Sequence, residues 1–320
     1  MKIGVFTALY SAEPLEAVLD KLVALGVEAV ELSCGNYAGS AHCDPDELLG
    51  SPGRLRAFRA ALDDRGVELS ALSQHGNPLH PREPAAAHAH RTWRRSLELA
   101  EALEVSTVIS FSGCPGDGAG ASYPNWVTCA WPDDYREVLD WQWSERVIPY
   151  WTAETEVAAA HGVRVAVEPH PGFVVYDTET LLRLRAAAGA NLGANYDPSH
   201  LFWQGIDPVG AIEELGRQEA IFHVHAKDTR LDPALVARKG VLETTPFGDF
   251  EQRAWNFRTV GDGHGAATWQ AIVAALRGVG YDGVLSLEHE DPLLGKDEGV
   301  ARGVAALRDA LAATAAGGAA

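Results

Sequence analysis

One junction recurs along this chain and limits what it can fold into. A helical run meets a glycine, and a short, largely apolar run follows at once. It reads ALGVEAVEL at 24–32, DRGVELSAL at 64–72, AHGVRVAVE at 160–168 and GVGYDGVLSLE at 278–288. Glycine accepts the left-handed backbone that ends a helix. Several of the runs, such as VRVAV and TVIS, are apolar on both faces, which marks a parallel strand covered on both sides. A chain that repeats helix and parallel strand either closes as a barrel or stays an open, doubly wound sheet.

The count of units decides between the two. Strands are predicted at Ile3–Leu9, Ala29–Ser33, Val67–Ser73, Thr107–Ser112, Val163–Glu168, Leu192–Tyr196, Ile221–Ala226 and Val284–Glu288. Helices are predicted at Pro14–Leu25, Leu55–Asp64, Pro84–Leu103, Tyr135–His161, Thr178–Ala188 and Thr268–Val279. A short helix starts at Asp207-Pro208, and a last one ends near Ala312. Eight units favour an α/β fold of the (β/α)₈ TIM barrel type, and no GxGxxG follows the first strand to suggest a dinucleotide fold. The 320 residues, 47% of them apolar, suffice for one large core, so 1–312 is expected to be a single domain. The small, uncharged tail 313–320 is expected to fray. Two connections, Gly113–Asp134 after strand four and Arg230–Ala267 after strand seven, are too long for plain turns. Both carry aromatics, including Trp126, Trp131, Phe247, Phe250, Trp255 and Phe257, which either pack the loops down or wall a binding site.

Charge and termini exclude other classes. The formal net charge of -18 disfavours nucleic acid and anionic membrane as partners. No apolar stretch is long enough to span a bilayer without a charge or a Gly/Pro break. The opening MKIGVFTALY reads as a strand, with no signal-peptide pattern, so a soluble cytoplasmic protein is expected. The four cysteines (Cys34, Cys43, Cys114, Cys129) form no CxxC pair, and a chain this large needs no disulfide frame.

The chemistry lies at the ends of the later strands. Strand five ends in Glu168-Pro169-His170 and strand six leads into Asp197-Pro198-Ser199-His200. Strand seven carries His223-Val224-His225-Ala226-Lys227-Asp228, and strand eight ends in Glu288-His289-Glu290-Asp291. Buried strand ends are costly places for charge unless something pairs it. In a barrel these four ends surround one small volume. Three carboxylates there repel one another, and a divalent cation cancels the repulsion. Glu168, Asp197, His223 and Glu288 are therefore the expected ligands of one divalent ion. Their oxygen-rich set with one imidazole suits Mn²⁺ first, with Mg²⁺, Co²⁺ and Zn²⁺ as alternatives.

On the motifs VAVEPH, NYDPSH, FHVHAKD and LSLEHED the chain resembles the xylose-isomerase-like barrel superfamily of sugar isomerases, epimerases and inosose dehydratases. The resemblance covers nearly the whole length. It implies that the Glu, the Asp, the first His and the last Glu of these motifs hold one metal. The superfamily's DNA-repair members carry further histidines for three metals, and HVHAKDT lacks their later D-x-H pair. The Arg that epimerases carry soon after the seventh-strand His is replaced by Lys227, Asp228 and Thr229, with Arg230 just beyond.

The expected reaction follows from the metal. A carbonyl and neighbouring hydroxyl chelated by a divalent ion acidify the adjacent C–H, giving an enediolate. Glu168 and Glu288 are the candidate base and acid, with His75 and His200 as further proton donors. His200 alternatively orients Asp197. His170, His225, Arg258 and Trp126 are candidate substrate contacts; His225 and Arg258 have equally good structural readings. A small-molecule keto-sugar is the expected substrate, and isomerisation or epimerisation the expected outcome. The aromatic loops also resemble the large subunit of bacterial C-glycoside deglycosidases. That resemblance implies a lyase acting on a 3-keto C-glycoside by β-elimination, with a small β-type partner subunit. A homo-oligomer is the other assembly left open. A non-catalytic sugar-binding barrel is the third reading, and it has no need of a complete metal quartet.

Overall fold

The computed structural model describes residues 1–316. Eight short parallel strands form its centre: β1 (Lys2–Phe6), β2 (Ala29–Ser33), β3 (Glu68–Ser73), β4 (Thr107–Phe111), β5 (Arg164–Glu168), β6 (Leu192–Tyr196), β7 (Ile221–Ala226) and β8 (Val284–Leu287). They close in the order β1-β8-β7-β6-β5-β4-β3-β2, with β1 beside both β2 and β8. Every barrel pairing is parallel. Closure needs close strand approach at β1, where a Cβ on Gly4 would sit 2.5 Å from Val284 Cγ1. Glycine is the only residue that fits there without a shift of its neighbours.

The apolar core fills the annulus between barrel and helices, anchored by Leu19, Leu72, Leu97, Val165, Leu181, Ile212 and Leu276. The barrel interior is different. Ala71, Ile109 and Ala166 form a small apolar cluster with Phe222 inside. Buried Glu31, Asn195, His223 and His225 also lie within the barrel. Among the described residues, no helix is long and apolar enough to cross a membrane.

Where the structure departs from the sequence reading, local chemistry explains it. The long helix expected from Tyr135 to His161 is present as Asp133–Trp141, a π turn Gln142–Val147, and Ile148–Ala160. Pro149 has no N–H to give to the carbonyl one turn back, which accounts for the widened turn. The turn swings Gln142 inward, where its amide Nε2 donates to the carbonyls of Pro115, Gly116 and Asn125 at 3.3, 3.0 and 2.7 Å. The loop after β4 is thus pinned from inside. The connection after β7 contains a hairpin, Asp228–Leu231 against Trp255–Arg258, and a helix Pro233–Lys239 capped by Asp232. Four-residue strands are too short to show an alternating pattern. The helix Pro198–Gln204, also unexpected, is capped by Asp197, which accepts from the Ser199 N–H at 2.8 Å. The last helix runs Lys296–Ala316, so residues 313–316 are helical where a frayed tail is expected. Arg277 Nη1 donates to Thr314 Oγ1 at 2.7 Å and holds that end. The remaining tail residues, 317–320, lie outside the described residues.

Replacing Gln142 with Leu leaves buried carbonyls without a donor, at a cost of about 1–3 kcal/mol. Denaturant titration should register that loss, and limited proteolysis should cut first within 113–126. An unchanged cleavage pattern would show that the π turn does not hold the loop.

Candidate functional site

Three of the four expected ligands stand where the strands run out. Glu168 is the last residue of β5, Asp197 the first after β6, and Glu288 the first after β8. His225, next to last in β7, completes the group. Its Nδ1 lies 3.2 Å from Glu168 Oε2 and 3.1 Å from Glu288 Oε2. One ligand atom each from Glu168, Asp197 and His225 fall within 4.8 Å of one another. His200 Nε2 borders them, 3.4 Å from Glu168 Oε1 and 3.3 Å from Asp197 Oδ2.

These atoms have a shared peculiarity. Asp197 Oδ2, His200 Nε2, His225 Nδ1 and Glu288 Oε2 are all buried and lack a hydrogen-bond partner. A buried polar atom left unpaired costs about 1–3 kcal/mol. Lys227 Nζ, 3.2 Å from Glu288 Oε2, offsets the charge of one of them, and the atoms that remain without a hydrogen bond call for a common partner. Ligand atoms about 2.1 Å from a shared centre sit about 3.0–3.4 Å apart along the edges of an octahedron or tetrahedron. The separations of His225 Nδ1 from Glu168 and Glu288, 3.2 and 3.1 Å, fit that spacing, and Asp197 offers an oxygen within 4.8 Å of the first two. Three carboxylates with one imidazole are a donor set able to hold a divalent ion.

His223, the imidazole expected as ligand, does not reach this group. It sits deeper, its Nδ1 3.0 Å from Asn195 Oδ1 and its Nε2 3.3 Å from Ser70 Oγ. The reason is strand geometry. Both histidines face the barrel interior, but a strand rises about 3.3 Å per residue, so His225 stands about 6.6 Å further along the strand toward the mouth. The carboxylates all lie at or just past strand ends, so the later histidine meets them. His225, expected as a substrate contact, thus stands among the carboxylates where His223 was expected.

A carboxylate unmarked by any motif supports it. Glu31, fully buried on β2, faces His225 Nε2 with both oxygens, at 3.0 and 2.9 Å. Ser73 Oγ donates to Glu31 Oε1, and Ser286 Oγ donates to its Oε2 at 2.7 Å. The one sequence signal was an acid inside an otherwise apolar strand, AVELS, where a charge demands a partner.

The charges are tightly balanced. Burial opposes ionisation of Glu288, but Lys227 and His225 outweigh it and hold its carboxyl well below the usual range. Burial likewise opposes ionisation of Glu168, and His75, His225 and His200 reverse the effect. Asp197 goes the other way: burial pushes it up to about 6 against the pull of His200 and Lys227. Glu31 is burdened by burial too, yet His225, His223 and Ser73 bring it down to about 2. Burial lowers His223 to about 4, so it is a neutral ring at pH 7. Burial disfavours the charge on Lys227, but Glu288 and Glu290 keep it cationic. Its Nζ lies 3.2 Å from Glu288 Oε2, 2.5 Å from Glu290 Oε2 and 4.1 Å from the centre of the Phe257 ring.

Two cavities open on the group. One, of about 380 Å³, is lined by Tyr37, His75, Phe111, Glu168, Lys227 and Glu288 among others. The other, of about 730 Å³, is walled by Trp126, Trp203, Phe247, Trp255 and Phe257, with His200 at its inner end. His170 and Glu290 line both. His75 Nε2 lies 3.1 Å from Glu168 Oε2. His170 Nδ1 donates to the Pro171 carbonyl at 2.6 Å, and its ring centre lies 4.0 Å from that of His200. Trp126 packs edge-on against Tyr176. Arg258 is not brought to the site. Its Nε donates to Asp291 Oδ2 at 3.0 Å, and it lines a separate surface depression. It lies on the hairpin strand Trp255–Arg258, and its ion pair braces the hairpin against the loop after β8.

Known proteins resemble the chain along its whole length. The family model of the xylose isomerase-like TIM barrel matches residues 19–310. The uncharacterized protein YfiH of Bacillus subtilis (strain 168) is 38% identical over 314 residues, which is 97% of this chain and 99% of that protein. A D-tagatose 3-epimerase-like protein superposes with a TM-score of 0.67 at 20% identity, covering 100% of both chains. The IolI protein with a bound zinc atom superposes with a TM-score of 0.67 at 18% identity, covering 98% of this chain and 99% of that one. At these identities the two structures speak for the fold.

The two histidines of β7 give a direct check. Equilibrium dialysis against Mn²⁺ should find binding lost in His225→Ala and kept within about tenfold in His223→Ala. The reverse pattern would return the ligand role to His223.

Proposed function

Because the chain belongs to the xylose isomerase-like TIM barrel family, we propose that it is an enzyme that uses one divalent ion to move a proton beside a carbonyl of a keto-sugar. One observation carries this reading: buried, unpartnered atoms of Asp197, His225 and Glu288 converge beside Glu168. Those four side chains would hold the ion, with Mn²⁺ the first choice. The ion supplies Lewis-acid polarisation of a carbonyl and the hydroxyl next to it, which acidifies the adjacent C–H.

The chain's own groups then move the proton. The 380 Å³ cavity is at the small end of ligand pockets and suits a single sugar ring. Glu168 and Glu288 project into it from strands on different sides of the barrel. One takes the proton and the other returns it from the opposite side. Return to the neighbouring carbon is isomerisation; return to the other face of the same carbon is epimerisation. His75 steadies Glu168 and Lys227 steadies Glu288, so each carboxylate keeps a fixed oxygen toward the substrate.

A lyase reading has its own support in the second cavity. A sugar in the smaller cavity would extend any substituent past His170 and Glu290 into the aromatic one. With a ketone at C3, loss of the C2 proton to a carboxylate lets the bond from C1 to the substituent break. The electron pair leaves with the substituent, and His200, on the wall of that cavity, supplies its proton. A pure binding barrel would gain nothing from three ligand atoms left without a hydrogen bond.

In ²H₂O the enzyme should wash deuterium into a carbon next to the carbonyl of its keto-sugar, and EDTA should stop the exchange. Glu288→Gln should slow turnover by roughly 10²–10⁴-fold with the fold intact. Exchange that persists after EDTA, or an unimpaired Glu288→Gln variant, would overturn the proposal. Offered a 3-keto C-glycoside beside simple ketoses, release of free aglycone selects the lyase, and a new ketose selects isomerase or epimerase.

A further inference from the structure

We propose that Glu31 is a positioning residue of the metal centre, which holds the His225 ring so that Nδ1 faces Glu168, Asp197 and Glu288. The inference rests on the ion-binding reading above and adds a residue from outside the four strands that carry the ligands. An imidazole that ligates through one nitrogen keeps a hydrogen on the other, and the partner of that second nitrogen fixes which is which. Both Glu31 oxygens face His225 Nε2, and a carboxylate can only accept. The hydrogen therefore stays on Nε2, and Nδ1 keeps its lone pair for the ligand cluster.

The support is rigid. Glu31 is itself clamped by hydroxyls from β3 (Ser73) and β8 (Ser286), while it stands on β2 and grips β7. Its oxygens thus tie four strands into one bracket beneath the site. Phe6 lies over the His225 ring, with centroids 5.7 Å apart and planes within 21°. The ring has a fixed plane as well as a fixed tautomer. A carboxylate placed here merely to neutralise a buried imidazole would not need two hydroxyl donors to hold both its oxygens in place.

Glu31→Gln keeps the shape and breaks the logic. A glutamine amide group can donate to Nε2, which moves the ring hydrogen to Nδ1 and turns it against an ion. Wild type and Glu31→Gln, stripped with chelator and titrated with Mn²⁺ by calorimetry, should differ by about 10–100-fold in dissociation constant. The rise in Tm on adding Mn²⁺ should shrink in step, while the metal-free proteins melt by the same cooperative transition. Mn²⁺ binding as tight in Glu31→Gln as in wild type would overturn this inference and leave the proposed function standing. A wild type that takes no Mn²⁺ would overturn both. Should Glu31→Gln fail to fold, the double variant Ser73→Ala, Ser286→Ala loosens the bracket without removing the carboxylate. It should weaken Mn²⁺ binding several-fold, and unchanged affinity there would equally overturn the inference.

Discussion

Three carboxylates held close together out of water repel one another, and the rest of this molecule is arranged around that repulsion. Two unit charges 4 Å apart interact by about 4 kcal/mol at an effective dielectric near 20. The protein supplies Lys227 as an internal counter-charge, 3.2 Å from Glu288 and within influence of Asp197. It still leaves one atom of Asp197, one of Glu288 and one of His225 without a hydrogen bond. A fold evolved only for stability would have paired or removed those groups. Their survival at the mouth of a barrel is the physical argument for an ion there.

The barrel makes the arrangement possible because it delivers side chains in layers. An apolar cluster around Ile109 fills one layer of the interior, and buried polar groups including Glu31, Asn195, His223 and His225 lie in others. Among those polar groups, a pair of struts supports Glu168 and His225. Glu31 braces His225, while Asn195 Nδ2 donates to Glu168 Oε2 at 2.8 Å with His223 behind it. Each strut consists of groups whose own hydrogen bonds are met, so rigidity is gained without leaving buried charge unpaired. The loops then shape access. The π turn at Gln142 fixes the segment that carries Trp126, and the hairpin after β7 brings Trp255 parallel to Trp203 at 4.6 Å. The division into a small polar cavity and a larger aromatic one follows from those two connections.

Much of this was legible in the sequence. Strands β2, β6 and β7 and the helix Thr178–Ala188 run as read, because glycine stops and apolar runs mark them sharply. The strand-end acids Glu168, Asp197 and Glu288 stood out because charge is rare in buried strands. What escaped had no periodic signature. The choice between His223 and His225 depends on how far each stands along the barrel axis, and both share one face. Glu31 lies far along the chain from every motif, and its role exists only because the barrel closes β2 toward β7. Arg258 looked available because its partner Asp291 sits 33 residues away in another loop. The short hairpin was hidden by its length.

The convergence of four side chains on one point is the claim on which the rest stands, and anomalous diffraction from crystals grown with Mn²⁺ tests it most directly. The account predicts one strong peak about 2.0–2.3 Å from carboxylate oxygens of Glu168, Asp197 and Glu288 and from His225 Nδ1. A peak elsewhere on the chain, or none at saturating Mn²⁺, would contradict it.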